Sequence, residues 1–277
     1  MPINWGIEVI KWKILTEKLE KVSTPQLIKS ILIGVSLGMI TPKRTGEFAG
    51  RIMVLSPSNR LKGLLLNTAG SLSQLSVTLI MGSLGLLAIL LLLPEKISAM
   101  PLLIFEKKYI FILIFVFSSP GIPITLFFLI HTRYRLTPKN KVLSLINFCL
   151  DTFSDIASAD MIRLFALSLL RYCIFATQFW LLLLLSGIFV PYFIFFSLVA
   201  VVYLFMTIIP LSAIWEPAVR GSVALLIFGL YFGSDVLFQP AVLAASTGLW
   251  VINLAIPALT GSLMVMKKNI INQNTGS

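Results

Sequence analysis

The feature that most restricts the fold is a series of apolar runs on the order of 20 residues each, the length a helix needs to cross a bilayer. The longest is Leu64 to Leu93. Its first half is small and polar (Asn67, Thr68, Gly70, Ser71, Ser73, Gln74, Ser76, Thr78) and its second half is rich in leucine. Further runs cover Tyr109–Ile130, Met161–Ser186, Pro191–Ile209 and about Val236–Met266. With 57% hydrophobic and 12% charged residues, the chain is too apolar for an ordinary soluble domain. The expectation is an all-α, polytopic transmembrane helix bundle forming a single integral membrane domain over residues 1–277.

The formal charge of +11 then reads as cytoplasmic loop anchoring and contact with anionic headgroups. Nucleic acid is a poor partner, because the basic residues are scattered between spans. Cys149 and Cys173 lie far apart in apolar surroundings and suggest neither a metal motif nor a disulfide framework. A secretory signal peptide is not expected after Met1-Pro2-Ile3-Asn4-Trp5. Glycine loops for nucleotides, HExxH, GxSxG and Cys/His clusters are not found, so no cofactor or metal is expected and an enzyme is disfavoured.

Two polar interruptions stand out. The first is Thr41-Pro42-Lys43-Arg44-Thr45-Gly46-Glu47-Phe48-Ala49-Gly50-Arg51; the second runs from Ile209-Pro210 through Glu216-Pro217 to Arg220-Gly221. Each follows an apolar segment and carries Glu and Arg four residues apart, one turn of helix. Such a pair is costly in lipid unless it lines a polar cavity or meets a partner. Two pairs, one in each half, predict two re-entrant or broken-helix segments around one central site. Gln26–Ile40, about 22 Å at helical rise, is short for a crossing and suits a re-entrant hairpin. The plainer alternative is a loop with a surface ion pair at each place.

Other residues fill in the picture. Asn67 and Gln74, seven apart, share a face that serves either as interhelical glue or as a polar path, and Gly82 and Gly85 extend a closely packed stripe. Residues 3–13 look like the end of a helix, with Trp5 and Trp12 at an interface and Lys11 to Lys29 on the cytoplasmic side. Ser118–Pro123 should kink or break its span, and His131 reads as interfacial. Residues 137–160 predict an amphipathic interfacial helix, with Asp151, Asp155 and Asp160 on a solvated face.

Thr41-Pro42, Gly46-Glu47 and Arg51, followed by the polar-faced span from Asn67, resemble the first signature of the lysylphosphatidylglycerol synthase transmembrane region family. Pro210, Glu216 and Arg220, then Trp250, Asn253, Pro257 and Gly261, resemble its second. The similarity runs over roughly residues 3 to 266. It implies a bacterial or archaeal cell-membrane protein of flippase type that moves a phospholipid or lipid-linked substrate between leaflets. Two departures accompany it: the soluble synthase domain has no counterpart here, and Ser212-Ala213-Ile214-Trp215 replaces a glycine pair. The family also has further helix before residue 3, so a truncated start is expected. The expected substrate-binding set is Glu47, Arg51, Glu216, Arg220, Asn67, Gln74 and Asn253, facing membrane lipid with an anionic or lipid-linked phosphate. Alternatives are a non-catalytic membrane subunit and an intramembrane enzyme of lipid or glycolipid biosynthesis; a homo-oligomer or membrane partner is compatible with each.

Overall fold

The computed structural model describes residues 1–92, 141–209, 213–233, 235 and 237–274. The expected Tyr109–Ile130 span, its Ser118–Pro123 break, His131, the basic loop that follows and Pro210 lie outside the described residues. Among the described residues the chain is helical, without a strand. The helices are α1 (Pro2–Thr16), α2 (Thr24–Ile40), α3 (Gly46–Ile52), α4 (Arg60–Leu92), α5 (Lys141–Ser154), α6 (Ser158–Leu185), α7 (Tyr192–Ile208), α8 (Glu216–Phe232), α9 (Phe238–Trp250) and α10 (Ile256–Asn274). Among the described residues, three helical stretches are long and apolar enough to cross a membrane: Pro57–Leu92, Ser158–Leu185 and Phe238–Met266. Thr24–Ile40 and Tyr192–Ile208 are shorter apolar helices.

The local chemistry accounts for where these helices begin and bend. Ser23 and Gln26 form a capping box at the start of α2, followed by Pro25 in the first turn, so orphan amides there are satisfied or absent. The α4 terminus is capped from a distance: the Glu20 carboxylate accepts from the Ser56 amide at 2.9 Å, the Ser56 hydroxyl and Asn59 Nδ2 at 2.6 Å. Between α9 and α10 the helix widens into a π turn, Val251–Ala255. Pro257 explains it, since its ring removes an amide donor and crowds the carbonyl of Asn253 one turn earlier.

Glu20 predicts an acid-labile contact. Hydrogen bonds from the Ser56 hydroxyl, then Asn59, then the Ser56 amide hold its pKa below the usual carboxylate value. A depressed folded-state pKa adds stability above the ordinary glutamate range and loses it as pH falls through the folded value. Glu20→Gln should therefore lower the Tm in detergent at neutral pH, and the gap to wild type should close on acidification. A gap that stays constant with pH would contradict the assignment.

Among the described residues, packing centres on two large apolar cores, with two smaller clusters beside them. Trp12, Leu15, Leu27, Ile31, Leu66 and Leu164 bind α1, α2, α4 and α6 together. Phe179, Phe195, Phe228 and Val242 do so for α6, α7, α8 and α9, with Phe195 ring centroids 5.6 Å from both Phe179 and Phe228. Val35, Ala213, Leu254 and Ala258 link the halves. Trp12, expected at an interface, is a core residue at 1% exposure.

Close helix approach relies on small residues, as the glycine stripe predicts. A Cβ at Gly82 would meet Leu204, and one at Gly85 would lie 2.6 Å from the Ala200 methyl and 2.8 Å from the Ser197 carbonyl, so α4 and α7 nearly touch. At the α2–α3 hairpin a Cβ on Gly50 would fall 2.3 Å from the Gly34 Cα. The described part of the 137–160 helix is α5, Lys141–Ser154; Ser158 to Asp160 instead begin α6, because Ala157 is extended and Ile156 turns inward at 1% exposure. Asp160 is not on a solvated face either. It is buried, 2.5 Å from Lys18 Nζ and 3.2 Å from Arg163.

Candidate functional site

Both Glu/Arg pairs sit at the start of a helix, not in loops. Glu47 lies in the first turn of α3 and Glu216 in that of α8, where carboxylates complement the helix dipole. Each faces its arginine one turn later: Glu47 Oε2 is 4.0 Å from Arg51, and Glu216 pairs directly with Arg220. The glutamate of the first pair occupies a notch, since a Cβ at Gly38 would collide with the Glu47 side chain at 2.6 Å.

Arg44 joins the two pairs. Its Nε donates to Glu47 Oε1 at 2.7 Å, while one terminal nitrogen lies 3.5 Å from Glu216 Oε2. This residue has φ 57° in the left-handed region, unusual for a side chain of its size. Strain of this kind costs on the order of 1–3 kcal/mol and persists where surrounding contacts over-determine the conformation. Here two carboxylates on different helices hold the guanidinium. Thr41 assists by accepting the Gly46 amide at 2.8 Å, which closes the turn between α2 and α3.

From Arg51 the chain of polar contacts continues inward to Glu8. Arg51 is 2.6 Å from Glu8 Oε1 and donates to Asn67 Oδ1 at 2.9 Å. The other Glu8 oxygen takes Arg171 of α6, and Lys11 lies 4.0 Å away, donating to the Gly70 carbonyl at 3.2 Å. Arg171 also donates to Asn4 Oδ1 at 2.9 Å and lies 5.7 Å from the Trp5 and Phe175 ring centroids. Asn4 donates to Asn253 Oδ1 at 3.3 Å, and Asn253 in turn donates to Gln178 at 2.9 Å. One connected system thus runs from Glu216 on α8 to Gln178 on α6.

Its depth follows from helix geometry. Arg171 is about 20 Å along α6, which is about 42 Å long, and Asn253 falls near the centre of the Phe238–Met266 stretch at 1.5 Å per residue. Glu8, Lys11, Arg51, Asn4 and Asn253 are all buried. Exposure grows toward the Arg44 end, where the side chain is 33% exposed. Counting the ionisable members, Glu8, Glu47 and Glu216 face Lys11, Arg44, Arg51, Arg171 and Arg220, a surplus of two positive charges.

Of the seven expected residues, six belong to this system: Glu47, Arg51, Glu216, Arg220, Asn67 and Asn253. Gln74 does not; it donates to the Ser168 carbonyl of α6 at 3.4 Å. Sequence reasoning passed over Asn4, Glu8, Lys11, Arg44 and Arg171. A signal for the first three was present, because Asn4, Glu8 and Lys11 recur at i, i+4 and i+7 and so fall on one face of α1. Lys11, expected at the cytoplasmic surface, is 3% exposed on that face. Among the described residues no group of His, Cys, Asp and Glu could hold a metal ion. No family model, curated protein or solved structure matches the chain.

Proposed function

We propose that this chain is a flippase-like integral membrane protein that moves a phospholipid or lipid-linked phosphate between leaflets of a bacterial or archaeal cell membrane. The observation that carries the reading is the ionic system joining the two Glu/Arg repeats, near the middle of two candidate spans, with two positive charges in excess. Ionisable groups at that depth mark substrate paths more often than scaffolding, and surplus guanidinium suits phosphate oxygens. The α2–α3 hairpin and the 17-residue α8 support the two re-entrant segments. The resemblance to the lysylphosphatidylglycerol synthase transmembrane region family points the same way.

Arg44, the most exposed of the ionisable members, and Arg220, joined to it through Glu216, would engage the phosphate, and Glu47 and Glu216 would orient them or meet a cationic headgroup. Arg51, tied to Glu8 and Asn67, would hold the site together from below. Asn253 would line the polar path from the other half. Such a mechanism needs no cofactor, nucleic acid or metal.

The test is transbilayer movement of a headgroup-labelled phospholipid in proteoliposomes, read with an impermeant quencher. Wild type should move the lipid rapidly, and Glu47→Gln, Glu216→Gln and Arg44→Gln should each slow it at least about tenfold, the equivalent of ~1.4 kcal/mol. Equal rates in all four proteins would remove these residues from the mechanism. A stoichiometric membrane partner with no movement in any protein would favour a non-catalytic subunit, and a chemically altered lipid an intramembrane enzyme.

A further inference from the structure

A second polar feature lies beside the ionic system. Four helices each carry a buried polar atom without a hydrogen-bond partner among the described residues: Gln74 Oε1 on α4, the Tyr172 hydroxyl on α6, the Tyr203 hydroxyl on α7 and Arg220 Nε on α8. Tyr172 is 3% exposed.

Neighbouring contacts relate the four residues to one another. Gln74 holds the Ser168 carbonyl, and Ser168 lies one turn before Tyr172 on the same helix. Tyr172 packs edge-on against Tyr203 with ring centroids 5.6 Å apart, and both rings join Val77 and Ala200 in one cluster. Tyr203 is within electrostatic reach of Arg220 and Glu216. Phe196 and Leu169 close the sides with apolar surface.

Burying a hydroxyl or amide without a partner costs roughly 1–3 kcal/mol on protein scales. Four such groups brought together would be a heavy penalty for a dry interface. Native proteins meet this situation with ordered water, which needs two to four polar partners at a site. The residue types fit: hydroxyls donate and accept, the amide oxygen accepts, and guanidinium Nε donates.

We propose that Gln74, Tyr172, Tyr203 and Arg220 line a water-binding seam that leads through the bundle to the Glu216/Arg220 pair. The seam places Gln74 at the inner end of a hydrated branch, separate from the chain of ion pairs through Glu8. It brings water to a carboxylate at the junction of the two repeats without passing through that chain. This inference does not depend on the substrate of the protein.

Hydroxyl-radical footprinting of the whole protein in nanodiscs, with radicals generated from water in place by a synchrotron pulse, tests it by mass spectrometry. Tyr172, buried like Phe179 and Phe195 of the dry core, should be labelled several-fold faster than either, and the half-buried Tyr203 faster still. Gln74→Leu, which replaces the inner polar group by an apolar one, should slow labelling of Tyr172. Labelling of both tyrosines no faster than that of Phe179 and Phe195 in the wild type would overturn the seam, whatever the variant does. Because the readout requires no transported lipid, it stands or falls separately from the flippase assignment.

Discussion

Glu8→Gln should destabilise the protein more than any other single isosteric change in the charged system. The Glu8 carboxylate receives Arg51 and Arg171 on its two oxygens and has Lys11 beside it. The variant keeps the shape and removes the charge, leaving three cations packed together with no counter-ion at the centre. Breaking a buried ion pair by removing one partner costs about 3–5 kcal/mol, because an uncompensated charge stays buried. Thermal or denaturant unfolding in nanodiscs should show a loss of that size. Combining Glu8→Gln with Arg171→Gln should recover part of it, since one unpaired cation is then removed as well. A loss below about 1 kcal/mol, the scale of an exposed ion pair, would mean that Glu8 is not the hub.

Gly50→Val should separate α3 from α2 and take the first Glu/Arg pair out of register. The Cβ position at Gly50 is 2.3 Å from the Gly34 Cα and 2.4 Å from its nitrogen, so the obstacle is backbone and cannot rotate away. Overpacking of this sort costs about 1–3 kcal/mol and is relieved by backbone movement. The movement falls on Glu47 and Arg51, which flank Gly50 on the same short helix. The expected result is a folded protein with lowered Tm and abolished lipid movement in proteoliposomes. Gly6→Val is the control, because nothing lies within 4 Å of its Cβ position. Equal activity of the two variants would show that the hairpin contact does not position the site.

The two Glu/Arg pairs were legible because each is local: four residues on a helix place two side chains one above the other wherever that helix packs. The glycine stripe at Gly82 and Gly85 was legible for a similar reason, since small residues in an apolar run announce close packing. Glu8 was harder. Its partners Arg51 and Arg171 come from α3 and α6, and nothing in the spacing of charges along the chain relates them. Lys11 illustrates the cost of reading composition alone. In a lysine-rich stretch it resembles a surface anchor, and only the packing of α1 against α4 carries it beneath the surface, onto the Gly70 carbonyl. Gln74 shows the reverse, a residue on the expected face whose helix neighbour turned out to be Ser168 of α6 and not the ionic system.

What the amino-acid sequence determined unaided was helicity, the long apolar stretches and the placement of a Glu and an Arg one turn apart in each half. These follow from periodicity and burial tendency, which act over a few residues. The tertiary structure alone decided that Arg44 links the two pairs and that Glu8 collects three cations. It also decided that the two repeats share one connected set of charges. An ion pair in an apolar interior is set by distance and desolvation, and both are properties of how helices pack; the order of residues in the chain does not contain them.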